Sequence, residues 1–273
     1  MSAKRVGSWF EVAPGVDLYY EDEGKGPPIV FVPGWTFTTR VFDHQFAAFS
    51  GEHRVISFDP RSHGRSTVTM DGNNYATQGA DLAALLAHLE VEDPVLVGWS
   101  TGSYALWSLV RSEGAAGSRA LVPMDMPPVA MSCDAEDWVE GSIAELGEFL
   151  QAIQTASGQR AAVTAYADLV MIEQELTPEL TAWVVEQSLA TPPIIASNLL
   201  ADACFANYLE EARQADAEIP QMFILAEHWS GVAKPYLQKH CPNSRVEAFG
   251  GHLNFWEYPD RFNALLRDFL SGI

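Results

Sequence analysis

The sequence predicts an α/β protein: a mostly parallel, doubly wound sheet with an inserted all-helical cap. Three observations carry this. Short apolar runs alternate with helical patterns through the first 125 residues, strand-like runs then stop until about residue 218, and they resume before a closing helix. With 273 residues and 48 % hydrophobic content, the chain can bury one large core. Core-domain segments at residues 1–129 and 219–273, flanking a cap at 130–218, are the economical division.

Residues 9–12 and 16–21 alternate loosely around Pro14 and Gly15, which reads as a β-hairpin. Residues 29–32 (IVFV) form a continuous apolar run ended by Pro33-Gly34, as expected of a strand buried on both faces. Residues 54–58 repeat the pattern. A helix is expected over 75–89, with Leu82, Leu85, Leu86 and Leu89 on one stripe. Residues 94–97 and 119–124 read as two further buried strands. Within the insertion, Trp138, Ile143, Leu146, Leu150 and Ile153 recur at helical spacing, as do Val163, Tyr166, Leu169 and Val170. Thr177-Pro178 reads as an N-cap followed by a first-turn proline. Residues 221–226 and 244–249 return to strand, and 258–270 close the chain as a helix.

A formal net charge of −20 argues against nucleic acid or an anionic membrane as partner. Residues 126–220 hold sixteen acidic residues against only Arg160 and Arg213, a field that disfavours anionic substrates there. Cys133, Cys204 and Cys241 are odd in number and far apart, so neither a disulfide framework nor a zinc site is expected. No metal cluster, phosphate loop or dinucleotide fingerprint is present, and no cofactor is expected. The first twelve residues carry no apolar signal segment, so a cytoplasmic location is expected.

The chemistry centres on Gly98-Trp99-Ser100-Thr101-Gly102, between a strand and a helix. Two glycines permit a sharp turn that would lift Ser100 Oγ to the carboxyl edge of the sheet. The turn would also leave the Thr101 amide at a helix N-terminus, ready to donate to an anion. A serine nucleophile needs a base. Of seven histidines, His252 in Gly250-Gly251-His252 lies between the last strand and the last helix, a position that returns it over the same edge. His63, in the turn PRSHGRS with Asp59 and Arg61, reads as structural.

The loop VPGW (residues 32–35), the turn FDPRSHGRS (58–66), the elbow GWSTG and the late GGHLNFWEYPDRF together resemble the α/β-hydrolases over nearly the whole chain. That resemblance implies Ser100 as nucleophile, His252 as base, and the amides of Trp35 and Thr101 as an oxyanion hole. Trp35, Phe37 and Trp99 would wall an apolar substrate pocket. The acid is where the chain departs from the pattern. Most members place an aspartate after the strand that here reads MFILA, but Ala226-Glu227-His228-Trp229-Ser230 puts tryptophan at that position. Two candidates replace it. Asp125 ends the strand after the elbow, the source of the acid in haloalkane dehalogenases and zearalenone lactonases, and it is favoured over Glu227.

The expected activity is hydrolysis of a carboxylic ester or lactone of a small, apolar, neutral substrate through an acyl-enzyme on Ser100. Dehalogenation and epoxide hydrolysis are disfavoured, since both need an aspartate where Ser100 stands. The alternative is a cofactor-independent dioxygenase of a quinolone-like hydroxylated heteroaromatic, with His252 as base and Asp125 as its partner. Phe37 and Thr101 depart from that group, which carries histidines at both places. A non-catalytic relative that keeps the pocket is the third class. The expected partner is a small-molecule substrate; a homodimer stays open.

Overall fold

A computed structural model describes residues 5–134 and 136–273. The predicted hairpin forms as β1 (Ser8–Ala13) and β2 (Val16–Glu23), antiparallel with Ala13 facing Val16 across the turn. β2 also pairs antiparallel with β4 (Arg54–Phe58). The remaining strands are β3 (Pro28–Val32), β5 (Val95–Trp99), β6 (Ala120–Met124), β7 (Met222–Leu225) and β8 (Arg245–Ala248). They complete one eight-stranded sheet in the order β1-β2-β4-β3-β5-β6-β7-β8, parallel from β4 onward.

The continuous apolar runs are explained by burial on both faces. Val30 and Val32 pack on one side with Leu85 and Tyr104, from α2 (Tyr75–His88) and α3 (Gly102–Glu113). Ile29 and Phe31 pack on the other with Phe46 and Leu266, from α1 (Asp43–Phe49) and the closing helix (Pro259–Ser271). None of Ile29, Val30, Phe31 or Val32 retains solvent contact, and burial of each such side chain contributes about 1.5–3 kcal/mol. The chain runs from β3 outward to β4, then returns to the other side of β3 as β5. This reversal opens a crevice at the carboxyl ends of β3 and β5, where open α/β sheets place their ligands.

The insertion is helical: α4 (Ile143–Ala152), α5 (Ala156–Tyr166), a π-turn (Ala167–Met171), α6 (Pro178–Ser188), α7 (Pro193–Cys204) and α8 (Leu209–Glu218). Thr177 caps α6, its hydroxyl accepting from the Leu180 amide, with Pro178 in the first turn. Two expected stripes are corrected. Trp138 precedes α4 and is fully buried, whereas Ile143, at the start of that helix, is 76 % exposed. No residue of α4 itself is fully buried, because it rides on the outside of the insertion and only the segments beside it tuck inward. Leu169 is likewise exposed: the wider π-turn rotates it off the stripe of Val163 and Tyr166. Among the described residues, no helix is long and apolar enough to cross a membrane.

Candidate active site

Ser100 is the first residue after β5 and adopts φ +53°, the left-handed region that L-residues avoid. The turn survives because its amide is paid into pairing with the next strand: Ser100 N–H donates to the Met124 carbonyl at 2.8 Å, and the Ser103 amide donates to Ser100 O at 2.8 Å. The flanking glycines are sterically required. A Cβ on Gly98 would lie 2.8 Å from the Ser103 nitrogen, and one on Gly102 would overlap the Val32 carbonyl. Thr101 stands at the N-terminus of α3. The loop after β3 passes so near that a Cβ on Gly34 would sit 2.8 Å from Ser100 Cβ. That approach brings Trp35, the next residue, alongside the serine.

Asp125 repeats the device one strand along. It is the first residue after β6, has φ +48°, and its amide donates to the Ile224 carbonyl at 2.7 Å. Its carboxylate is buried and fully engaged. Oδ1 accepts from the Ala226 amide at 2.7 Å, and Oδ2 accepts from His252 Nδ1–H at 2.6 Å. The bond to Nδ1 leaves Nε2 as the acceptor nitrogen of a neutral ring.

His252 is held from three sides. Its carbonyl accepts from the Trp99 indole N–H at 2.7 Å, and its amide donates to the Val170 carbonyl at 3.1 Å. The Leu253 amide donates to Met171 O at 2.8 Å, so the π-turn of the insertion grips the histidine loop directly. Asn254 adds bonds from its side-chain amide to the Leu225 and Phe249 carbonyls. The imidazole also lies against Trp99, with ring centroids 5.3 Å apart, and meets Tyr166 edge-on at 5.8 Å.

Ser100 and His252 line one cavity of about 40 Å³ with Trp35, Phe37, Trp99, Val163, Tyr166 and Met171. That is space for about three water molecules, enough for a small acyl group. Trp35, Phe37 and Trp99 thus share one cavity with Ser100 and His252. The loop after β3 is clamped to the insertion, with Trp35 Nε1–H donating to Ala196 O at 2.8 Å and Thr38 Oγ1 to Gln187 Oε1 at 2.8 Å. In the sequence Val163 and Tyr166 read only as part of a helical stripe and Met171 carries no signal, since no local pattern says which cap side chains face the sheet edge.

Glu227 does not join the site. It is exposed, and its carboxylate accepts from Ser230 Oγ at 3.4 Å. The turn after β4 serves its own scaffold. Asp59 accepts from the Thr39 and Arg65 amides, Arg61 forms a buried two-point pair with Asp81, and His63 Nδ1–H donates to Arg61 O at 2.9 Å. Burial holds the His63 imidazole down to about 4, against the raising effect of that carbonyl.

Known proteins share this architecture. The model of the "Alpha/beta hydrolase family" matches residues 29–265. A non-heme chloroperoxidase of Kitasatospora aureofaciens is 35 % identical over 122 residues, covering 44 % of this chain and 44 % of that one, so the match spans less than half of that relative. A bromoperoxidase from Bacillus anthracis superposes with a TM-score of 0.87 at 22 % identity, covering 97 % of this chain and 100 % of the other. The enol-lactonase from Burkholderia xenovorans LB400 gives 0.81 at 20 % identity, with 97 % and 100 % covered. At these identities the structural matches speak for the fold.

Proposed function

The chain belongs to the alpha/beta hydrolase family, and on that premise we propose that it is a serine hydrolase of small, neutral carboxylic esters or lactones. The observation that carries this reading is the 2.6 Å bond from His252 Nδ1–H to Asp125, with that imidazole and Ser100 lining one apolar cavity. Ser100 Oγ attacks the carbonyl carbon as its proton passes to His252 Nε2. The resulting imidazolium is stabilised by Asp125. The oxyanion is held by the Trp35 and Thr101 amides, each worth about 3 kcal/mol. Collapse breaks the ester bond, and the leaving alkoxide takes the proton from His252. Water then attacks the acyl-enzyme, giving a proton to His252, and the acid leaves as Ser100 recovers its hydrogen.

The wall of Trp35, Phe37, Val163 and Met171 favours an apolar acyl group, and the acidic insertion disfavours an anionic one. The test is labelling by a fluorophosphonate followed by mass analysis, alongside release of p-nitrophenol from short-chain esters. One adduct on Ser100, absent in Ser100→Ala, is expected. The His252–Asp125 pair also suits the cofactor-independent dioxygenase reading, in which the same base deprotonates a hydroxylated heteroaromatic. Oxygen consumption with a hydroxyquinolone and no adduct on Ser100 would replace hydrolysis with that reaction.

A further inference from the structure

The loop that carries the Trp35 amide contains a strained residue. Gly34 to Phe37 form a β-turn, closed by the Phe37 amide donating to Gly34 O at 3.1 Å. Thr36, third in that turn, has φ +63°, whereas Trp35 before it is not left-handed. That combination is the type II pattern, in which glycine or asparagine normally stands third. A β-branched threonine there is strained, and it persists only where its surroundings hold it. The turn also abuts the nucleophile: a Cβ on Gly34 would lie 2.8 Å from Ser100 Cβ and 3.0 Å from the Trp99 carbonyl. The Trp35 amide takes no part in closing the turn, which leaves it to face a ligand at Ser100.

The insertion holds the strained residue. Thr36 and Ser188, the last residue of α6, are both fully buried, and their hydroxyl oxygens lie 2.7 Å apart. Thr36 Oγ1 also donates to the Trp35 carbonyl at 2.7 Å, so its single hydrogen is committed and Ser188 O–H is the donor between the two. Ser188 is itself fixed, with Gln159 Nε2 donating to its carbonyl at 3.1 Å. The bonds from Trp35 to Ala196 and from Thr38 to Gln187 flank Thr36 without engaging it.

We propose that Thr36 and Ser188 are positioning residues that hold the Trp35 amide toward Ser100, so that the oxyanion hole is complete only with the insertion seated on the core. The assignment rests on the hydrolytic reading, in which that amide holds the oxyanion. Without the Ser188 bond, Thr36 relaxes to negative φ, the Trp35–Thr36 peptide turns over, and the adjoining amide leaves its place. The loss falls on the transition state, where the oxyanion exists, and spares substrate binding.

The experiment measures hydrolysis of p-nitrophenyl acetate by Ser188→Ala, Thr36→Val and the double variant Ser188→Ala/Thr36→Gly, with thermal melts to establish that each is folded. Ser188→Ala and Thr36→Val should each lower kcat at least tenfold with KM within threefold of wild type. The double variant should recover kcat to within threefold of wild type, because glycine adopts positive φ without a bond to hold it. If Thr36 only filled space, deleting its side chain as well would deepen the loss. Hydrogen exchange by mass spectrometry on peptides spanning residues 33–38 reads the turn without turnover: the Phe37 amide should exchange at least tenfold faster in Ser188→Ala and slow again in the double variant. That exchange pattern supports the clasp even if wild type releases no p-nitrophenol, an outcome that sinks only the hydrolase reading. Exchange in Ser188→Ala equal to wild type, or a double variant slower in hydrolysis than Ser188→Ala, would overturn the inference.

Discussion

Replacing Asp125 by asparagine is the sharpest perturbation of the site, because the two carboxylate oxygens have different partners. Oδ1 accepts from the Ala226 amide at 2.7 Å, and Oδ2 accepts from His252 Nδ1–H at 2.6 Å. Asparagine can satisfy Ala226 only with its carbonyl oxygen, which turns its NH2 toward Nδ1. Two donors then face each other unless the imidazole moves its proton to Nε2. In that tautomer Nε2 cannot accept the Ser100 proton, and no negative charge remains to stabilise an imidazolium. A tautomer trapped in this way costs about 10⁴ in kcat, which is about 5.5 kcal/mol of barrier at 1.36 kcal/mol per decade. The assay is steady-state hydrolysis of p-nitrophenyl acetate by Asp125→Asn, beside Glu227→Gln as the surface control. Glu227→Gln should stay within threefold of wild type. Turnover by Asp125→Asn within tenfold of wild type would refute the reasoning.

Two further consequences concern stability. His63 is neutral in the fold and titrates at about 4, against 6.5 when unfolded, so the unfolded chain binds the extra proton between these values. Stability from this group is therefore complete above about pH 6.5 and is lost as pH falls toward 4, by up to about 3 kcal/mol; by urea melts, wild type should lose this much more stability between pH 7 and pH 4 than His63→Asn does. Arg61 and Asp81 form a buried pair with bonds of 2.9 and 2.7 Å. Arg61→Leu should cost about 3–5 kcal/mol by stranding the carboxylate, and Asp81→Leu added to it should restore much of the loss in chemical denaturation.

Features that depend on local chemistry can be read from the sequence alone. Buried parallel strands announce themselves as runs such as IVFV, because each residue of such a strand faces a covering helix layer. The elbow is legible because a left-handed serine between two glycines with no room for Cβ atoms is a local steric requirement. His252 is legible from its place between the last strand and the last helix. The choice between Asp125 and Glu227 is another matter. Both follow strands that end at the same sheet edge, and only three-dimensional placement decides which carboxylate the His252 loop meets.

The insertion shows the same limit more strongly. Helical periodicity finds its helices and the Thr177 cap, yet it misplaces Ile143 and Leu169, since it carries no information on which face a helix turns to the sheet or where a π-turn shifts the register. For that reason Tyr166 and Met171 reach the cavity unannounced. Sequence patterns of period two and near four specify elements and their buried sides. Which distant groups share a site is set by packing between elements, where hydrogen bonds such as Trp35 to Ala196 and His252 to Val170 join residues far apart in the chain.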